Sequence, residues 1–116
     1  MGTTTLADLR SAHCVPRRGA ADGIDAVGAR QWLALLDGWE IDARSGGIHK
    51  EFAFRDYFHT IAFVNAVASI AHREDHHPEL TVTYNRVSVH YSTHDVGGLS
   101  LNDFVCAARV DDLLAG

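Results

Sequence analysis

From Asp56 to about Glu74 the chain carries its longest helical pattern, and that pattern is apolar on too many sides for a helix that faces water. Tyr57, Ile61, Val64, Ala68 and Ala71 make one stripe. Phe58, Ala62, Phe63, Val67 and Ile70 widen it past an ordinary amphipathic face. Such a helix has to pack on a sheet, with surface left over to meet another chain or the rest of the core. Pro78 lacks an N–H and disfavours helical geometry at His77, so the helix has to end near His76. Beyond Pro78 the chain alternates with period two. Leu80, Val82 and Tyr84 oppose Thr81 and Thr83; Val87, Val89 and Tyr91 then oppose Ser88, His90 and Ser92. Asn85-Arg86 is a tight link, and the spacing predicts a hairpin of strands 80–84 and 87–93.

The flanking segments complete the layout. Asp25 is a fitting N-cap for a helix over about 26–37, with Ala29, Trp32, Leu33 and Leu36 at helical spacing and Gly38 as the stop. Residues 39–43 read as a short strand, 44–47 as a turn and 48–54 as a second strand. Ile48, Phe52 and Phe54 share a face of that strand, which only Lys50 spoils. Ser100 and Asp103 resemble a capping box, with Asp where Glu or Gln is usual. They open a last helix over about 101–114, with Leu101, Phe104, Val105 and Ala108 inward. The order αββαββα predicts an α+β fold, a four-stranded antiparallel sheet with helices packed on one face. Residues 1–23, broken by Pro16, Gly19 and Gly23, are expected to form an irregular N-terminal arm, and 24–116 the folded domain.

At 116 residues the chain is a single domain, and 47% hydrophobic with 22% charged residues excludes general disorder. The net charge is −5, and nine of the ten basic residues are scattered arginines, which argues against a nucleic-acid module. No apolar run approaches the ~20 residues of a membrane span, and residues 1–12 lack a secretory pattern. A cytoplasmic location is the expectation. Cys14 and Cys106 are far apart without a local pattern, so a buried thiol at Cys106 is expected rather than a disulfide.

Eight histidines are unusual for this length, and His72, His76 and His77 fall within six residues. Because antiparallel strands bring the start of one beside the end of the other, the turn at Asn85 folds position 77 or 78 back near 93 or 94. Hairpin logic therefore gathers His76, His77 and His94 at one end of the sheet, with Asp75, Ser92, Thr93 and Asp95. The residues alone leave three readings open. Imidazoles of reference pKa near 6.5 suit acid/base chemistry. Three of them can also bind zinc, although the H-E-x-x-H pattern is absent. Or they hold the hairpin by hydrogen bonds. His13, His49, His59, His72 and His90 read as surface, helix-face or opposite-face residues. A small core leaves room only for a shallow pocket at the sheet end.

His76-His77-Pro78-Glu79, Tyr84-Asn85-Arg86-Val87, Ser92-Thr93-His94-Asp95, Gly98-Leu99 and Asn102-Asp103 together resemble the pterin-4a-carbinolamine dehydratase family. His-His-Pro followed seventeen residues later by Thr-His is the specific part of the signature. His72 and Asp103 match further positions, and the likeness runs over roughly 24–114. His13-Cys14-Val15-Pro16-Arg17 looks like the arm of bacterial members. Many of those carry a second cysteine that this chain lacks, which argues against a metal or disulfide role for the arm. The resemblance implies loss of water from a 4a-hydroxytetrahydropterin to give quinonoid dihydropterin, without metal or organic cofactor. It implies a joint catalytic set of His76, His77 and His94, and substrate contacts from Asp75, Glu79, Ser92, Thr93 and Asp95; Glu79 is alternatively a residue that orients a histidine. It also implies a homodimer or homotetramer, with an aromatic amino acid hydroxylase as pathway partner. The alternative is a binding role on the same fold, as a transcription coactivator or assembly factor, and behind it a three-histidine metal protein.

Overall fold

Side-chain caps start the helices. The computed structural model describes residues 5–115. Thr5 and Asp8 form a reciprocal capping box for α1 (Leu6–Ser11). Asp25 accepts the Gly28 N–H at the start of α2 (Ala26–Leu33), and Asp56 accepts that of His59 at the start of α3 (Tyr57–Glu74). In α4 (Leu101–Asp112), Asp103 reaches back to accept the Ser100 N–H at 2.9 Å. The strands are β1 (Glu40–Ile41), β2 (Ile48–Ala53), β3 (Glu79–Val82) and β4 (Arg86–Tyr91). They form one antiparallel sheet in the order β1-β2-β4-β3, so the two expected hairpins join through β2 and β4. The fold is α+β, with the αββαββα core that the periodicities predict.

The arm departs from expectation. Pro16, Gly19 and Gly23 break only its later part, while the Thr5–Asp8 box nucleates α1 ahead of them. α1 lies on α4 and buries Leu9 to 2% exposure. That cover explains why α4 is buried nearly all round, from Asn102 to Ala108 and at Val110, instead of along one stripe.

The sheet shows the alternation expected. Ile48 and Phe52 of β2, and Val87, Val89 and Tyr91 of β4, face the helices and are buried. Lys50 shares that face because its amine leaves it: Nζ donates to the Asp37 carbonyl at 2.7 Å and to Asp111 Oδ1 at 3.0 Å. α3 is rotated relative to the predicted stripe. Thr60, Phe63, Val67, Ile70, Ala71 and Glu74 face inward, with the Phe63 ring 4.8 Å from Phe52 and 5.0 Å from Phe54. Tyr57 and Phe58 stand 53% and 76% exposed. A helix apolar nearly all round has no pattern that selects its rotation, and the fit of Phe63 between the two sheet phenylalanines selects it instead.

The β1–β2 turn bears directly on the end of β4. Gly47 is buried, and a Cβ there would collide with the Tyr91 carbonyl and lie 3.1 Å from Ser92 Cβ. Gly47→Ala is expected to destabilise the chain by about 2 kcal/mol in urea melts. Gly98→Ala, whose Cβ would meet only the Gly46 carbonyl at 3.9 Å, should cost less than about 0.5 kcal/mol.

Candidate active site

α3 does not run on to His76. It ends at Glu74, and Asp75 takes a left-handed conformation, φ 50°, while its N–H still bonds to the Ala71 carbonyl. This is a position that normally suits glycine, and a side chain there costs about 1 kcal/mol. The turn swings His76 back over the sheet, where its ring stacks on Tyr91 at 5.7 Å and 8°. Nε2 then donates to Asp103 Oδ1 at 2.6 Å.

Asp103 is fully buried, and every contact it makes is with a donor. Besides His76, its Oδ2 accepts from Thr93 Oγ1 at 2.8 Å and from the Ser100 N–H at 2.9 Å. A buried carboxylate is tolerable only when its lone pairs are occupied in this way. Burial by itself pushes the His76 pKa down, but the hydrogen bond and charge of Asp103, with smaller effects from Cys14 and Asp75, outweigh it and raise it overall. With Nε2 committed to Asp103, Nδ1 is the nitrogen left to exchange a proton with a ligand.

Beside this pair lies a cavity of about 340 Å³, lined by His76 together with Asp75, Glu74, Thr93, Asp95, Asn102 and the arm from Cys14 to Arg18. Of the residues expected at the site, Asp75, His76, Thr93 and Asp95 therefore meet. The others do not line the cavity; alternation along the strands accounts for Ser92 and Glu79, whereas His77 precedes β3 and His94 opens a short 3-10 turn, His94–Val96. Thr93 turns inward after Tyr91, so Ser92 turns outward; Ser92 and His94 are both exposed. Carried past its end, the β3–β4 register, Glu79 opposite His90, would set His77 across from Ser92, short of the expected 93 or 94. His77 is exposed as well. Glu79 faces the open side of the sheet and borders a separate hollow with Asp42 and His90. There His90 Nε2 lies 2.8 Å from Asp42 and the ring stacks on His49. Among the described residues no three His, Cys, Asp or Glu side chains converge as a metal site needs.

The arm is the part that sequence reasoning missed. Buried Glu74 accepts the Cys14 N–H at 2.7 Å and faces His13 Nδ1 at 3.0 Å. Asn102 accepts the Val15 N–H, donates to the Val15 carbonyl and accepts from Arg17 Nε. One signal was legible: a glutamate in the last turn of a helix opposes the helix dipole and calls for a tertiary partner. A larger hollow of about 490 Å³ lies between Leu6, Leu35 and Asp111, but its lysine is already engaged by Asp37 and Asp111. No helix among the described residues is long and apolar enough to cross a membrane.

The family model for pterin 4 alpha carbinolamine dehydratase matches residues 24–113. The chain belongs to that family. A relative from Xanthomonas oryzae pv. oryzae, provisionally named as a pterin-4-alpha-carbinolamine dehydratase, is 53% identical over 91% of this chain and 90% of its own length. A relative from Nitrosospira multiformis, named likewise, is 50% identical over 95% of this chain and 96% of its own. That match extends beyond the span of the family model into the arm. Among solved structures, a transcriptional coactivator/pterin dehydratase from Brucella melitensis superposes with a TM-score of 0.75 at 31% identity, covering 81% of this chain and 99% of that one. A pterin dehydratase-like protein identified as a RuBisCO assembly factor in the alpha-carboxysome gives 0.60 at 27% identity, covering 70% and 94%.

The raised His76 pKa ties stability to pH. Below about 6.5 the folded and unfolded chains both carry the imidazolium. Above it the unfolded chain loses the proton first, so the stabilisation from the Asp103 pair fades as pH rises through the folded pKa. Urea melts from pH 6 upward should show this loss, and Asp103→Asn should remove the pH dependence while costing roughly 3 kcal/mol at pH 6.

Proposed function

We propose that the chain dehydrates a 4a-hydroxytetrahydropterin to the quinonoid dihydropterin. The observation that carries this reading is the His76–Asp103 pair at the wall of a polar cavity. The reaction breaks the C4a–O bond and removes the proton from the neighbouring ring nitrogen. Hydroxide leaves poorly, so an acid has to protonate the oxygen as the bond lengthens, and a base has to take the ring proton. His76, held as imidazolium to higher pH than an ordinary histidine, is suited to the acid step. His77 and His94 adjoin the lining residues His76, Thr93 and Asp95, and in this proposal they complete the catalytic set at the cavity mouth. Asp75, Thr93 and Asp95 present acceptors for the amino and amide edge of a pterin. Ser92 and Glu79 are left as outer residues that contact substrate only if the strand ends shift.

The test is to generate the carbinolamine and follow its dehydration with and without the protein. Acceleration over the spontaneous rate is expected, unchanged by a chelator. His76→Ala, His77→Ala and His94→Ala should each lower it by about 10²-fold or more, and the rate should fall on the alkaline side as His76 loses its proton. No acceleration would favour the second reading, a binding partner, for which the likeness to an assembly factor is the supporting observation.

We also propose that the chain is a homo-oligomer packed through the outer face of α3. Tyr57, Phe58, Ile61 and Ala62 line an almost wholly apolar hollow there, a surface of the kind that marks contact with another chain. Sedimentation should give a dimer or tetramer, and Phe58→Asp should shift it toward monomer; a monomeric wild type would end the proposal.

A further inference from the structure

Cys14 and Cys106 are 92 positions apart, yet their Sγ atoms lie 3.4 Å from each other as free thiols. Their surroundings differ. Cys106 sits on α4 with no exposed surface, whereas Cys14 is half-buried and forms part of the cavity wall next to His76. The approach is built in by the backbone. Glu74 holds the Cys14 N–H, and Asn102 holds Val15 on both its N–H and its carbonyl. A disulfide needs S–S near 2.05 Å, so the sulfurs have only about 1.4 Å left to close.

We propose that Cys14 and Cys106 are a peroxide-oxidised dithiol: Cys14 reacts with a hydroperoxide first, and Cys106 resolves it to an intramolecular disulfide beside the candidate active site. In the first step the Cys14 thiolate attacks one peroxide oxygen. The S–O bond forms, the O–O bond breaks, and hydroxide (or the alkoxide of an organic peroxide) leaves and takes up the thiol's proton. In the second step Cys106 sulfur attacks the Cys14 sulfenic acid. The S–S bond forms, the S–O bond breaks, and the hydroxyl leaves as water with the Cys106 proton. Two thiols and one hydrogen peroxide become one disulfide and two waters.

The order comes from the environments. A hydrogen bond from Cys106 lowers the Cys14 pKa, aided by the nearby His76 charge, against burial and the carboxylates Glu74 and Asp103. Cys106 shifts the opposite way, because it retains the shared proton and is buried. The reactive thiolate is thus the one that the cavity exposes. The Tyr91 hydroxyl, buried with no hydrogen-bond partner and close enough to both thiols to feel their charge, is available to hydrogen-bond sulfur.

The test uses the reduced full chain and a small excess of hydrogen peroxide at neutral pH, and needs no pterin. Both thiols should be lost together with a mass decrease of two hydrogens, without linkage between chains, and a reductant should restore them. Cys106→Ser should stop at a Cys14 sulfenic acid that dimedone labels, with Cys106→Ala as the second variant should the serine hydroxyl disturb its buried slot. In Cys14→Ser, Cys106 should react at least ~10-fold more slowly than Cys14 does in the wild type. The proposal is overturned if both thiols stay titratable, if oxidation joins two chains through Cys14, or if Cys106 is modified first.

Discussion

One buried carboxylate organises the far end of this molecule. Asp103 closes the first turn of α4 through the Ser100 N–H, holds the loop after β4 through Thr93 and holds the segment after α3 through His76. Three separate parts of the chain thus meet on two oxygens. An ionised carboxylate without exposure cannot tolerate the loss of these donors, so each of the three segments is obliged to stay where the others need it. His76 is placed, and its pKa raised, by the same carboxylate that caps the helix.

The cavity beside it has a floor and a lid of different origin. Its floor comes from the ends of α3 and β4, elements of the αββαββα core. Its lid is the arm, clipped down by Glu74 and Asn102. Both clips use polar side chains from helix ends, where backbone groups lack intrahelical partners and extra hydrogen bonding is readily accommodated. The arm also brings Cys14 against Cys106, so proton chemistry at His76 and thiol chemistry at Cys14 share one small electrostatic environment.

Much of this was legible in the sequence. Asp25, Asp56 and Ser100 marked helix starts, Pro78 marked the end of the long helix within two residues, and the period-two runs at 80–84 and 87–93 marked the second hairpin. Asp75, His76, Thr93 and Asp95 were expected together and meet at the cavity. The rest was not legible, for physical reasons. Nearness in the backbone grouped His77, His94, Ser92 and Glu79 with these four, but alternation turns Ser92 and Glu79 to the other face, and His77 and His94 sit outside the strands with their side chains exposed. The rotation of α3 was misjudged because apolar residues surround it, leaving only the Phe52–Phe63–Phe54 contact to choose.

Local periodicity and turn chemistry were enough to specify the element order, the sheet's inner and outer faces, and the sheet end at which Asp75, His76, Thr93 and Asp95 meet. It took the folded chain to decide that His76 pairs with the fully buried Asp103, that the arm covers the site, and that two cysteines 92 positions apart touch. Such contacts are absent from any local pattern. They exist because distant segments compete for the same few buried hydrogen-bonding groups, and that contest is settled only when the chain is folded.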